Sequence, residues 1–279
     1  MKPYTLGLYE KAMPKELEWE EKLVEAKQAG FDFLEVSIDE TDEKLERLNM
    51  DSSSRLHLVK LMDKTNLPIR TMCLSGHRKY PMGSLNEKTR FRSMEIMRKA
   101  IDLADDLGIR VIQLAGYDVY YENSSDKTKK YFEENLKKAV EKAASKNVTL
   151  GFETMETEFM NTVEKSMEYV RKIKSTYLGV YPDLGNITNA AKRYGHSVEK
   201  DIYAGTGHLT SMHLKETVPG KFREIPFGHG HVDFESGIKA AWISGVRRYV
   251  TEFWYTGSNE WKNDLSKANN MMREILDRQ

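Results

Sequence analysis

Short apolar runs alternate with longer amphipathic stretches from one end of the chain to the other. Residues 4–9, 31–38, 69–74, 109–115, 148–153, 177–183, 208–214 and 249–254 are short, apolar and rich in β-branched and aromatic side chains. They read as strands. Helical spacing fills the gaps. Trp19, Leu23 and Ala26 share one face of a helix over 15–29, with Gly30 as its stop. A second helix over 52–66 ends before Pro68, which bars the helical conformation at the residue before it. Met94, Met97, Ile101 and Ala104 step by three and four along a third helix closed by Gly108. Phe132, Leu136, Ala139 and Ala143 mark a fourth, and 162–174 a fifth. A short helical segment covers 198–204, another helix 234–244, and Trp261, Leu265, Ala268, Met272 and Ile275 line the last.

Eight strand–helix units in a chain of 279 residues predict a single (β/α)8 barrel domain over 1–279. The rival is a doubly wound open sheet, which favours a glycine-rich turn after the first strand. Here that turn is Glu10-Lys11-Ala12-Met13-Pro14, without glycine.

Composition narrows the function. The 43 Lys and Arg balance 43 Asp and Glu, so a broad basic surface for nucleic acid is not expected. One cysteine, Cys73, excludes an intramolecular disulfide and a cysteine-rich zinc site. With no apolar run long enough for a signal peptide or a membrane span, a cytoplasmic protein is expected.

In such barrels the chemistry sits where strands end. Glu153, Asp183, His213 and Glu252 lie at or near the ends of the fifth to eighth strands, spaced 30, 30 and 39 residues apart, about one unit each. Singly, each carboxylate is better explained as a helix cap or the partner of an arginine. Four in succession place three carboxylates and one imidazole on one rim. Crowded carboxylates repel unless a cation stands between them. Three oxygens and one nitrogen suit one divalent ion of the Zn, Mn, Co or Mg type.

Several stretches carry a resemblance. Gly7-Leu8-Tyr9-Glu10-Lys11-Ala12, Gly30-Phe31-Asp32-Phe33-Leu34-Glu35, Met72-Cys73-Leu74-Ser75-Gly76-His77-Arg78 and Glu95-Ile96-Met97-Arg98-Lys99-Ala100-Ile101 are similar to the L-ribulose-5-phosphate 3-epimerase family. So are Val111-Ile112-Gln113-Leu114-Ala115-Gly116-Tyr117-Asp118-Val119-Tyr120-Tyr121, Tyr181-Pro182-Asp183-Leu184-Gly185-Asn186 and Pro226-Phe227-Gly228. The resemblance covers nearly the whole chain and implies a xylose-isomerase-like barrel. It implies interconversion of L-ribulose 5-phosphate and L-xylulose 5-phosphate in bacterial pentose and ascorbate catabolism. The family's metal ligands fall on Glu153, Asp183, His213 and Glu252, and its proton-transfer pair on Glu153 and Glu252. His77 matches a family histidine and is expected to touch substrate, as are Arg78, Gln113, Asn186, Lys215 and Arg223. Lys215 and Glu216 directly follow His213 and are expected to line the pocket. His208 is expected to be structural and His57 solvated.

Related epimerases of non-phosphorylated ketoses carry histidine where this chain has Asn186, and the family has glutamate where it has His229. Cations for a phosphate stand in two places: Lys215, Lys221 and Arg223 after the seventh strand, and Arg78 and Lys79 after the third. The phosphorylated ketopentose is the expected partner, nucleic acid and membrane are not, and aromatic residues on barrel loops would permit a homodimer. Other readings on the same barrel are an aldose–ketose isomerase and an endonuclease IV-like phosphodiesterase. The histidine-poor ligand set and zero net charge weigh against the phosphodiesterase. A non-catalytic sugar-binding protein would not need the four strand-end residues.

Overall fold

The computed structural model describes residues 3–279. Eight parallel strands, β1 (Thr5–Tyr9), β2 (Phe33–Ile38), β3 (Ile69–Leu74), β4 (Val111–Ala115), β5 (Thr149–Glu153), β6 (Leu178–Tyr181), β7 (Met212–Leu214) and β8 (Arg248–Thr251), pair in the order β6-β5-β4-β3-β2-β1-β8-β7. Parallel bridges at Val180–Leu209 and Asp183–His213 join the two end strands and close the sheet into a barrel. Helices cover the strands outside, so the strands are buried on both faces and read as nearly continuous apolar runs. Inside, Tyr9, Phe33, Cys73, Val111, Tyr181 and Val250 pack on one another. Gly7 makes room for this layer: a Cβ there would stand 2.3 Å from the Phe33 ring.

The helices are α1 (Trp19–Gln28), α2 (Asp42–Glu46), α3 (Ser52–Thr65), α4 (Glu87–Leu107), α5 (Asp126–Ala144), α6 (Val163–Ile173), α7 (Leu184–Tyr194), α8 (Val198–Ala204), α9 (Phe234–Ile243) and α10 (Trp261–Leu276). Their ends follow capping chemistry. Asn86 accepts from the amides of Lys88 and Thr89 to start α4, and Gly108 ends it with φ of 73°. The buried stripe of α4 runs through Ile96, Met97, Ala100, Ile101 and Ala104, and Met94 lies at its half-buried edge.

Several sequence-based boundaries move. Helix α1 starts at Trp19 rather than 15, where Glu18 and Glu21 form a capping box. Strand β7 spans three residues and not seven, because 208–211 meet β6 through a single bridge. Strand β6 stops at Tyr181 and β8 at Thr251, which puts Asp183 and Glu252 on the loops just beyond. Helices α2 and α7 are absent from the sequence expectation. Gly185, Asn186, Thr188 and Asn189 are poor helix formers, and α7 is held instead by its Asp183 cap and its buried face.

Candidate active site

The end of β5 carries Glu153, whose register partner on β6 is Tyr181. Asp183 follows β6 and is the bridge partner of His213 on β7. The Glu252 amide donates to the Leu214 carbonyl, setting Glu252 one step past β8. Four consecutive units thus bring one donor atom each from Glu153, Asp183, His213 and Glu252 within 4.8 Å of one another, all four residues buried.

Asp183 serves two ends. Its Oδ1 accepts from the Asn186 amide at 2.7 Å and caps α7, while Oδ2 turns toward the other cluster residues, 3.0 Å from Lys215 Nζ. Thr154 holds the same corner: its Oγ1 accepts from the Asp183 amide at 3.0 Å, and its carbonyl accepts from Asn186 Nδ2 at 2.7 Å. His213 Nδ1 faces Glu252 Oε2 at 2.9 Å, and its Nε2 meets Glu35 Oε1 at 2.5 Å. Gln113 Nε2 stands 2.9 Å from His213 Nδ1.

The charges do not balance. Four buried carboxylates, Glu35, Glu153, Asp183 and Glu252, meet the buried cations His213 and Lys215. Burial, reinforced by Glu252, pushes the Glu153 carboxyl up to about 8 against the pull of Lys215 and His213. Asp183 is raised to about 7, again by burial first, with Lys215 opposing. For Glu252 burial also acts upward, but Lys215 and His213 outweigh it and hold the carboxyl well below its usual range. Burial would lower the His213 pKa; the Glu35 and Glu252 carboxylates overcome it and raise the imidazole well above its ordinary value. Asp183 Oδ2 faces Lys215 Nζ at 3.0 Å, and Glu252 Oε2 faces His213 Nδ1 at 2.9 Å and Lys215 Nζ at 3.6 Å. Protons on Glu153 and Asp183, or a divalent cation, supply the missing positive charge. The donor set of three carboxylates and one imidazole therefore fits such an ion.

A pocket opens over this cluster, walled by Tyr9, Lys11, Cys73, Ser75, Arg78, Met155, Glu156, Phe222, Arg223 and Trp254, and reaching Asn186 and Lys215. Arg78 lies 4.9 Å from the Tyr120 ring and Arg223 5.9 Å from the Trp254 ring. Glu156 stands between them, 3.7 Å from Arg223 and hydrogen-bonded to the Tyr120 hydroxyl.

Of the residues expected at the substrate, Arg78, Asn186, Lys215 and Arg223 line this pocket. Gln113 lies beneath it, against His213. His77 is not brought to it: buried beyond β3, its Nε2 donates to the Ser93 carbonyl at 3.2 Å, and burial lowers its pKa to about 4. Glu216 also turns away from the pocket. Its carboxylate accepts from the amides of Thr217, Gly228 and Val232 and ties the loop after β7 together. His229 lines a separate groove beside Phe227 and Trp261, and His231 Nε2 meets Thr217 Oγ1 at 3.0 Å. Tyr117 is buried, and Tyr121 is exposed with its hydroxyl on Glu40. Sequence reasoning missed Lys11, Glu156, Trp254 and Glu35. Only Glu35 left a usable signal, as a charge inside the apolar run Phe33-Leu34-Glu35-Val36.

Fold and site together define an α/β barrel with a buried carboxylate–imidazole centre, and residues 23–275 match the xylose isomerase-like TIM barrel family. The chain belongs, within that class, to the L-ribulose-5-phosphate 3-epimerase family and is an isomerase acting as a carbohydrate epimerase. It is 41% identical over 273 residues to L-ribulose-5-phosphate 3-epimerase UlaE of Escherichia coli O157:H7, covering 98% of this chain and 95% of the relative. The same values hold for the protein of that name from Shigella boydii serotype 18. Among solved structures, the D-allulose 3-epimerase of Methylomonas sp. aligns with a TM-score of 0.80 at 17% identity, covering 99% of both chains. A structure of L-ribulose 3-epimerase aligns at 0.77 and 17% identity, covering 99% of this chain and 95% of that one. At such identities these two likenesses show the fold. Among the described residues, no helix is long and apolar enough to cross a membrane.

Proposed function

We propose that the chain interconverts L-ribulose 5-phosphate and L-xylulose 5-phosphate by moving a proton at C3. The observation that supports this reading is the excess of buried carboxylate at the barrel's strand ends, with Glu153 and Glu252 on non-adjacent strands. Inverting a carbon next to a carbonyl takes a base on one face and an acid on the other. Glu153, at the end of β5, and Glu252, one step past β8, both reach the pocket and are the two carboxylates that can serve as that base and acid. Whichever of the two removes the C3 proton, the other returns one from the opposite face, and their roles exchange for the reverse reaction.

Glu153, Asp183, His213 and Glu252 would hold one divalent ion of the Mn, Co, Mg or Zn type. When bound, that ion would supply positive charge to the substrate oxygens at C2 and C3, favouring loss of the C3 proton. Lys215 adds a fixed positive charge beside Asp183 and Glu252. Asn186 presents an unpartnered buried Oδ1 to the sugar hydroxyls. Arg78 and Arg223, at the outer wall, are the phosphate-binding pair in this reading, and Lys11 stands with them. His77, packed against Ser93, has no substrate role in it. The same reading gives a cytoplasmic enzyme of one barrel domain in pentose and ascorbate catabolism, with a homodimer as its assembly.

Incubation with L-ribulose 5-phosphate in deuterated water tests this. Label at C3 of both sugar phosphates, with L-xylulose 5-phosphate formed, is the expected result. Label confined to C1 would make the enzyme an aldose–ketose isomerase.

A further inference from the structure

Glu35 sits in the middle of β2 between the apolar Leu34 and Val36 and is wholly buried. A buried carboxylate costs several kcal/mol unless donors and countercharge meet it. Both oxygens are met here. His213 Nε2 reaches Oε1 at 2.5 Å, and the Tyr181 hydroxyl donates to Oε2 at 2.9 Å. Neither partner comes from a strand next to β2, whose neighbours are β1 and β3. Glu35 therefore spans the barrel interior to reach β6 and β7 at once. Tyr181 packs edge-on against the His213 ring with centroids 4.9 Å apart, so the same tyrosine that anchors Glu35 also fixes the imidazole plane.

An imidazole whose Nε2–H is committed to a carboxylate can offer only Nδ1 to a cation. Nδ1 is the nitrogen that faces the other ligand residues, 2.9 Å from Glu252 Oε2 and 3.9 Å from Asp183 Oδ2, and the Gln113 amide 2.9 Å away on the same side is the group an ion there would displace. We infer that Glu35 is a positioning residue for the metal centre: it holds His213 as the Nε2–H tautomer with Nδ1 aimed at the ion, and Tyr181 holds Glu35. This rests on the metal-binding reading of the four strand-end residues given above. A Glu35 that served only as half of a buried ion pair would matter for folding and leave affinity for the ion unchanged.

The test is titration of the full metal-free chain with Mn2+, following the free ion by electron paramagnetic resonance, beside thermal unfolding of the metal-free forms. Glu35→Gln removes the charge while keeping the side chain's length, and should weaken Mn2+ binding by about 10- to 100-fold. Tyr181→Phe, which leaves Glu35 in place, should shift affinity in the same direction by less. Wild-type affinity in a folded Glu35→Gln chain overturns the inference, whatever that chain's melting temperature. Should that variant not fold, unchanged affinity in Tyr181→Phe overturns it. A wild-type chain that holds no Mn2+ overturns the metal-binding reading and this inference with it, so the wild-type titration separates the two failures.

Discussion

Lys215 Nζ lies 3.0 Å from Asp183 Oδ2, inside the cluster that the metal-binding reading assigns to a divalent ion. It also stands 3.6 Å from Glu252 Oε2, and its side chain is buried. A fixed cation so near repels a second cation while drawing the carboxylates together. Lys215→Met should therefore bind Mn2+ several-fold more tightly and yet lose about 100-fold in kcat, the scale of removing one group that stabilises developing negative charge. Metal titration and initial rates on the same preparation check both. Weaker Mn2+ binding in the variant would mean that Lys215 orients Asp183 instead of opposing the ion.

Glu153→Gln and Glu252→Gln remove the two groups assigned to proton transfer. Each should lower kcat by about 100- to 10,000-fold, the range for loss of a general acid or base. Circular dichroism should show an intact fold in both. The metal-free Glu153→Gln chain should melt no lower than wild type, because burial already disfavours the charged form of that carboxyl. An active variant of either residue would remove the two-carboxylate mechanism.

Metal binding should strengthen as pH rises from 6 to 8. In the metal-free site Glu153 is raised to about 8 and Asp183 to about 7, so both carry protons at pH 6 that an incoming ion must displace. At pH 8 Asp183 has lost its proton and Glu153 is half ionised. The gain in Mn2+ affinity between these pH values should be at least about 100-fold, since one proton released per ion across two pH units already gives that. Calorimetry in buffers of differing ionisation enthalpy would count the protons, and a pH-independent affinity would contradict the assignment of these carboxylates as ligands.

The barrel repeat is what makes Glu153, Asp183, His213 and Glu252 legible in one dimension. Each unit returns the chain to the same rim, so strand-end residues recur at about the unit length. Contacts across the barrel leave no such trace. Glu35 and His213 are 178 residues apart, and only the folded register of β2 and β7 brings them together. Helix α7 was hidden for a different reason: its weak formers are held by a cap and by burial, neither of which propensity measures. Family likeness pointed His77 at the substrate, whereas the chain beyond β3 carries it into the core against α4.

That burial gives His77 a role in stability. Its pKa is about 4 in the fold and near 6.5 in an unfolded chain, so between these values the unfolded state binds the extra proton. Stability rises with pH across that window and is lost as pH falls through it. The full loss, reached below pH 4, is about 3 kcal/mol, with about 2 kcal/mol already gone at pH 5. His77→Gln can still donate to the Ser93 carbonyl but does not titrate. Urea unfolding of both proteins at pH 8 and pH 5 should show their stability difference changing by about 2 kcal/mol in favour of the variant at the lower pH.

The outer wall carries the last prediction. Among the described residues, Arg78 Nε is buried without a hydrogen-bond partner, and Arg223 stands 3.7 Å from Glu156, longer than a hydrogen bond. Both guanidinium groups thus keep donors to spare at the pocket wall, and planar guanidinium groups match phosphate oxygens two at a time. A charge-assisted hydrogen bond is worth about 1.5–3 kcal/mol, which is roughly a 10- to 100-fold change in binding. Arg78→Met and Arg223→Met should each raise KM for L-ribulose 5-phosphate by about that factor while kcat changes little, because the phosphate lies away from the reacting carbon. With unphosphorylated L-ribulose the same variants should match wild type in kcat/KM. Equal losses on both substrates would mean that the arginines shape the pocket without binding phosphate, and would move the phosphate site toward Lys11.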